Sequence, residues 1–157
     1  MRYGVNTGRW LIQPRLENTD VPLSTGQTHY EEALLGRTFR IASPSFFQVN
    51  TRQAEKLVEV VKASLMLSGD GTLVDVYAGV GTFSILLAPY ARRVIAIEES
   101  PSAVKDAAIN SLGIDNVTFI QGRCEEVLTT LQEAPDALIL DPPRTGCHRR
   151  ALDAVDR

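Results

Sequence analysis

Four short stretches of this 157-residue chain carry residue types that do chemistry when they stand at the ends of β-strands. The first is Asp75-Val76-Tyr77-Ala78-Gly79-Val80-Gly81-Thr82, with two glycines one residue apart. Such a pair lets a backbone approach a ligand closely and exposes the N–H groups of a following helix. The position of the third glycine of the dinucleotide fingerprint holds Ser84, which argues against NAD and its pyrophosphate. The second is Glu98, which closes the run Val94-Ile95-Ala96-Ile97 seventeen residues past Gly81. A carboxylate there is placed to accept hydrogen bonds from both hydroxyls of a ribose, so the pair of signals points to an adenosine-type ligand. The third is Asp141-Pro142-Pro143-Arg144, where two prolines forbid helix and hold a carboxylate at the edge of a sheet. Arg144 reads equally as a phosphate partner and as an exposed loop residue. The fourth is Ser45-Phe46-Phe47-Gln48-Val49-Asn50, in which the two aromatics read as core and Gln48 offers both a donor and an acceptor to a site.

Each of these residues, taken alone, is also what ordinarily closes a strand. What raises them is the elements around them. Short apolar runs alternate with helical stretches: strand Thr72–Tyr77, helix 82–89, strand Arg93–Glu98, helix 101–112, strand Val117–Gln121, helix 124–132 and strand Ala137–Asp141. That alternation predicts βαβ units, a parallel sheet with right-handed crossovers, and a ligand beyond the carboxyl ends of the strands. Upstream, Ala54, Leu57, Val58, Val61 and Leu65 fall at helical spacing. Asn50 with Gln53 predicts the N-cap of that helix, and Gly69-Asp70-Gly71 its end. Residues 1–45 are rich in turn formers and alternating residues such as Thr38-Phe39-Arg40-Ile41, and read as a short antiparallel β appendage to an α/β domain over 46–157.

Composition excludes several classes of protein. At 17.2 kDa and 44% hydrophobic residues the chain has enough apolar material for one core without staples, so disorder and fibre are excluded. The longest apolar runs are four residues, far short of a membrane span, and the first thirty hold no signal-type core, so cytoplasm is the expected compartment. Cys124 and Cys147 lack the spacing of a metal or redox motif and read as a packing thiol and a loop thiol. His29 and His148 lack ligand spacing too, and no metal is expected. Net charge is −3, divided between a front segment of 62 residues with eight basic against six acidic side chains and a remainder with eight against thirteen. Tight, sequence-selective RNA binding by this chain alone is therefore not expected.

With these motifs in order, the chain resembles the S-adenosylmethionine-dependent RNA uracil C5-methyltransferases, which modify tRNA and ribosomal RNA. The likeness runs from Ile12-Gln13-Pro14 and Thr25-Gly26-Gln27-Thr28-His29-Tyr30 to Asp141-Pro142-Pro143-Arg144, and Ser45-Phe46-Phe47-Gln48-Val49-Asn50 is its most specific part. It implies a Rossmann-like class I methyltransferase sheet and a methyl donor rather than NAD. It also implies that Gln48, Tyr77, Glu98 and Asp141 line the cofactor pocket, with Asp141 beside the target base. Gly79 and Gly81 join them as the turn of that pocket.

The chain departs from the family in three ways. Arg123 stands after the third parallel strand where an Asp or Asn is usual. The N-terminal RNA-binding barrel and the cysteine cluster of some members are not found. The nucleophilic cysteine, in a Ser-Cys-Asn-Pro turn after the Asp-Pro-Pro-Arg motif, is not found either. In the family chemistry a thiolate adds beside C5 of uracil, the resulting enolate attacks the methyl group, and a base then removes the C5 proton and expels the thiol. The chain is accordingly expected to be the cofactor-binding part of a longer enzyme, with four parallel strands and the last one at an open edge prone to self-association. The alternatives are an amino-group methyltransferase acting on adenine or guanine, where an aromatic normally stands in place of Arg144, and a non-catalytic nucleotide- or RNA-binding module.

Overall fold

In the computed structural model, residues 28–42, 45, 47, 50–132, 134–144 and 146–155 are described. The expectations for Trp10–Ile12, Phe46 and Gln48 lie outside these residues.

The chain folds first into a hairpin of β1 (His29–Leu34) and β2 (Arg37–Ala42), antiparallel and in register from His29 opposite Ala42 to Leu34 opposite Arg37. Leu35 and Gly36 both take positive φ, the two-residue turn whose twist suits a hairpin. Helix α1 (Thr51–Leu65) follows, and the Asn50 side chain accepts the Gln53 backbone N–H at 3.2 Å as its N-cap. The helix stops at Leu65 rather than reaching Gly69, because Met66 adopts a left-handed C-cap and Leu67 turns back onto the core. Its buried stripe is also narrower than the spacing predicts, with Ala54 and Val58 buried but Leu57 42% exposed.

Four parallel strands then build the sheet: β3 (Thr72–Val76), β4 (Arg93–Glu98), β5 (Val117–Gln121) and β6 (Ala137–Leu140). Their order is β5-β4-β3-β6, so the winding reverses beside β3, and among the described residues β6 pairs on one side only. Leu73 to Val76 and Val94 to Ile97 are buried without a break, as strands covered on both faces must be. The connections hold α2 (Thr82–Leu87), α3 (Pro101–Asn110) and α4 (Cys124–Val127), and α5 (Arg149–Val155) follows β6. The helices predicted at 82–89 and 124–132 each finish in a 3₁₀ turn, at Ala88–Tyr90 and Leu128–Thr130, and the one predicted at 101–112 ends at Asn110. No helix among the described residues is long and apolar enough to cross a membrane.

The hairpin is fixed to the sheet layer through α3. Leu34, Phe39 and Ile41 share an apolar cluster with Phe47, Ala54, Val80, Ile85 and Ala103. Asp106 on α3 accepts the Ala42 N–H at 2.6 Å, while Asn110 accepts the Arg40 N–H at 2.8 Å and donates to the carbonyls of Arg40 and Val80.

Candidate functional site

The end of β3 is the switch point of the sheet, and Tyr77 begins the turn there with φ +66. A left-handed backbone at an aromatic residue costs on the order of 1–2 kcal/mol and persists only where its surroundings enforce it. Two partners do so. The Ala78 N–H donates to the Ile97 carbonyl at 3.0 Å, and the Tyr77 hydroxyl receives the Cys124 thiol at 2.9 Å. Burial, with the Cys124 bond second, raises the pKa of the Tyr77 phenol, and burial likewise pushes the Cys124 thiol up. Cys124 is therefore a packed, neutral thiol, as its place at the head of α4 suggested.

The two glycines of the turn serve different ends. Gly81 caps α2 at φ +88, and a methyl group added there would lie 2.9 Å from both the Phe119 ring and the Ile85 side chain. Gly79 also has positive φ, +58, but a methyl group added there would meet nothing within 4 Å. One glycine is demanded by packing. The other leaves an open flank along the turn.

Glu98 closes β4 beside that flank. Its carboxylate accepts the Gly79 N–H at 2.8 Å through Oε2 and the Ser100 N–H at 2.7 Å through Oε1. Each oxygen keeps a second lone pair, so the group holds the turn in place and still has acceptors for two hydroxyls. Asp75, one strand over, is about 1% exposed, and its Oδ2 takes both the N–H and the hydroxyl of Ser84. Burial pushes its pKa up to about 7, the Ser84 bonds oppose that, and the negative charges of Asp141 and Glu98 add to it. Asp141 follows β6, exposed, with its N–H 3.5 Å from the Val76 carbonyl.

A cleft of about 440 Å³ opens over the same strand ends, lined by Tyr77, Ile97, Gly122, Arg123, Cys147 and His148 among others. Its size is that of a small-molecule site. Of the residues expected from sequence, Tyr77 lies in the cleft wall. The others are not among the residues lining it: Glu98 and Gly79 are joined by a hydrogen bond between the ends of β4 and β3, Gly81 is packed against Phe119 and Ile85, and Asp141 follows β6. Gln48 is outside the described residues. Gly122 and His148 carried no signal in the sequence. Arg123, which departs from the family pattern, lies in the wall with its guanidinium 2.7 Å from the Glu125 carboxylate.

Comparison with known proteins places this arrangement. The family profile described as tRNA (uracil-5-)-methyltransferase matches residues 31–157. An RNA methyltransferase of Thermosynechococcus vestitus is 41% identical over 143 residues, covering 90% of this chain and 32% of the relative. The mouse protein named tRNA (uracil-5-)-methyltransferase homolog A is 38% identical over 148 residues, covering 90% and 24%. The chain thus spans about a third of the length of the bacterial relative and a quarter of the mouse one. Among solved structures, the Pyrococcus abyssi tRNA (uracil-54, C5)-methyltransferase in complex with S-adenosyl-L-homocysteine superposes with a TM-score of 0.70 at 30% identity, covering 89% of this chain and 36% of that one. The M. jannaschii TYW2 structure, at 22% identity and a TM-score of 0.65, shares the fold. A profile match over four-fifths of the chain, on a sheet whose strand ends carry the motifs in order, shows that it belongs to the tRNA (uracil-5-)-methyltransferase family.

Proposed function

We propose that the crevice at the ends of β3 and β4 binds S-adenosylmethionine, and that the whole protein methylates carbon 5 of a uridine in tRNA or ribosomal RNA in the cytoplasm. The observation that carries this reading is the Glu98 carboxylate. It is held by two backbone N–H groups beside an open glycine flank, with acceptor capacity left for the two hydroxyls of a ribose. Gln48, Tyr77, Gly79, Gly81 and Asp141 complete the pocket in this reading. The cofactor supplies a methyl group on a sulfonium, and the chain's own residues bind and orient it. The family chemistry also needs a thiolate, and Cys124, buried and bonded to Tyr77, is not placed to supply one. Cys147 lies in a loop of the cleft wall and is assigned no role in the chemistry. Residues 1–157 alone therefore transfer no labelled methyl group to a uridine-containing RNA above background. Among the described residues β6 pairs on one side only, and in this reading that edge takes a further strand.

Calorimetry with S-adenosylhomocysteine tests the cofactor reading. Glu98→Ala removes the ribose acceptors and loosens the Gly79 turn, and should weaken binding by about 1–3 kcal/mol. An unchanged dissociation constant would remove Glu98 from the site.

A further inference from the structure

The second part of the chain is acidic, yet its cations are not spread evenly. Residues 63–157 carry eight basic against thirteen acidic side chains. Three of those eight, Arg144, Arg149 and Arg150, fall in a stretch from 144 to 150 that includes no carboxylate. All three are exposed, as is His148 between them. Among the described residues none of the three makes an ion pair, whereas Arg40 reaches Asp106 and Arg123 reaches Glu125. Guanidinium groups without a carboxylate of their own keep the full donor fork that fits an oxyanion from outside the chain.

The backbone that carries them is held in place. Pro142 and Pro143 stiffen its start, and the Gly146 N–H donates to the Pro143 carbonyl at 2.8 Å, closing a turn in which Gly146 takes φ +82. The His148 carbonyl accepts the Ala151 N–H at 2.9 Å, and the His148 ring accepts the Arg150 N–H at 3.3 Å. Ala151 is fully buried in one apolar cluster with Cys124 and Leu128, which ties the start of α5 to α4. The arginines are thus presented from a fixed support, and less order is lost when they bind. His148 and Arg149 belong to the wall of the cleft, and Asp141 opens the same loop three residues before Arg144.

We propose that Arg144, Arg149 and Arg150 form a ledge that grips backbone phosphates of the RNA beside the nucleotide to be methylated. The inference rests on the RNA methyltransferase reading above and assigns the surface that receives the strand. The charge balance gives the reason for such a ledge. A chain of net charge −3 repels a polyanion as a whole, so a strand that brings a base to the β6 end of the crevice needs local cations there. Contacts of this kind position the strand and read no sequence.

The test is the salt dependence of RNA binding by the chain of 157 residues, read as the fluorescence anisotropy of a short labelled single-stranded RNA containing one uridine. Binding should be weak and should fall steeply with salt. Arg149→Gln with Arg150→Gln should weaken it several-fold at low salt and flatten the slope of log affinity against log salt by about 1 to 1.5. The loss should be equal for an RNA of scrambled sequence. Arg92→Gln with Arg93→Gln removes the same charge beside the start of β4, at the other end of the strands, and should leave the slope unchanged. Equal losses in the two double variants would mean that only net charge matters, and would overturn the proposal. So would an unchanged slope in the Arg149 and Arg150 variant, a loss confined to one RNA sequence, or no RNA binding by the wild type at low salt. Displacement of the RNA by polyglutamate as readily as by unlabelled RNA would assign the ledge to an acidic protein instead, and overturns it too. If the double variant does not fold, Arg150→Gln alone decides, with a slope flatter by about 0.7 expected and an unchanged slope overturning the ledge. Failure of the wild type to bind S-adenosylhomocysteine is a separate result: it overturns the cofactor reading and leaves the RNA titration to be read by itself.

Discussion

Asp75 and Asp106 are each about 1% exposed, yet they live in opposite surroundings. Asp106 is surrounded by donors. The Ala42 N–H meets its Oδ2 at 2.6 Å, and His29 and Arg40 approach its Oδ1 at 3.5 and 3.8 Å. Asp75 has one serine on one oxygen and only negative charges acting on it from beyond. The first carboxylate closes a joint between the hairpin and α3. The second keeps one oxygen without a partner inside β3. Burial alone marks neither role, and the inventory of partners separates them.

The largest effect expected from breaking this contrast lies at the joint. Asp106→Ala leaves the Ala42 N–H without an acceptor and the Arg40 guanidinium without its nearby carboxylate, so it should cost about 3 kcal/mol of stability in urea unfolding. The cofactor affinity of the folded protein should hardly move, since Asp106 stands on the hairpin side of α3. A loss below about 1 kcal/mol would mean that the Asn110 bonds and the apolar cluster of Phe39 and Ile41 hold the hairpin without it.

How much of this was legible beforehand follows from range. The strands were legible because Val94 to Ile97 and Ala137 to Leu140 are apolar throughout, and the Asn50 cap was legible because its partner is three residues away. Helix ends were misjudged where the deciding event was a single backbone conformation, as at Met66. The joint was invisible: Asp106 meets residue 42 across 64 positions and Asn110 meets residue 40 across 70, and no local pattern encodes such a pairing. The same is true of the Tyr77–Cys124 bond, which recasts a packing thiol as the support of a strained site residue. At the site, the types and spacing of Glu98, Gly79 and Gly81 were readable. That one glycine packs and the other stands open was not, because the difference lies in where Phe119 sits.

The second contrast is in how stability depends on pH. Asp75 titrates at about 7 in the folded protein and near 3.8 ordinarily, so between those values the folded state holds a proton that the unfolded chain has released. Folding is then favoured by acid, and stability should fall as pH rises from about 4 towards about 7 and flatten above it. Over two pH units within this window the contribution is on the order of 2 kcal/mol. Thermal melts of Asp75→Asn between pH 5 and 7.5 should lack this component, while those of Asp106→Asn should retain it. A slope of the opposite sign in the wild type, after other carboxylates are accounted for by the Asp75→Asn difference, would show Asp75 ionised throughout.

The smallest effect sharpens the comparison most, because it divides the Asp106 joint into its parts. Arg40 sits 3.8 Å from Asp106 with about a third of its side chain in solvent, a geometry in which water screens the attraction and the side chain loses entropy to keep it. Its guanidinium also bonds the His29 ring at 2.7 Å, so some order there survives without the aspartate. Arg40→Ala should therefore cost only about 0.5–1 kcal/mol, far less than Asp106→Ala. The backbone bonds from Arg40 to Asn110 remain whatever side chain stands at that position. A double-mutant cycle of the two substitutions in urea should return a coupling near that small value. A coupling of about 3 kcal/mol would instead make the joint an ion pair first and a backbone cap second. In that case Asp106 would owe its charge to Arg40, and the contrast with Asp75 would become one between a carboxylate given its cation by the chain and one buried with no cation beside it.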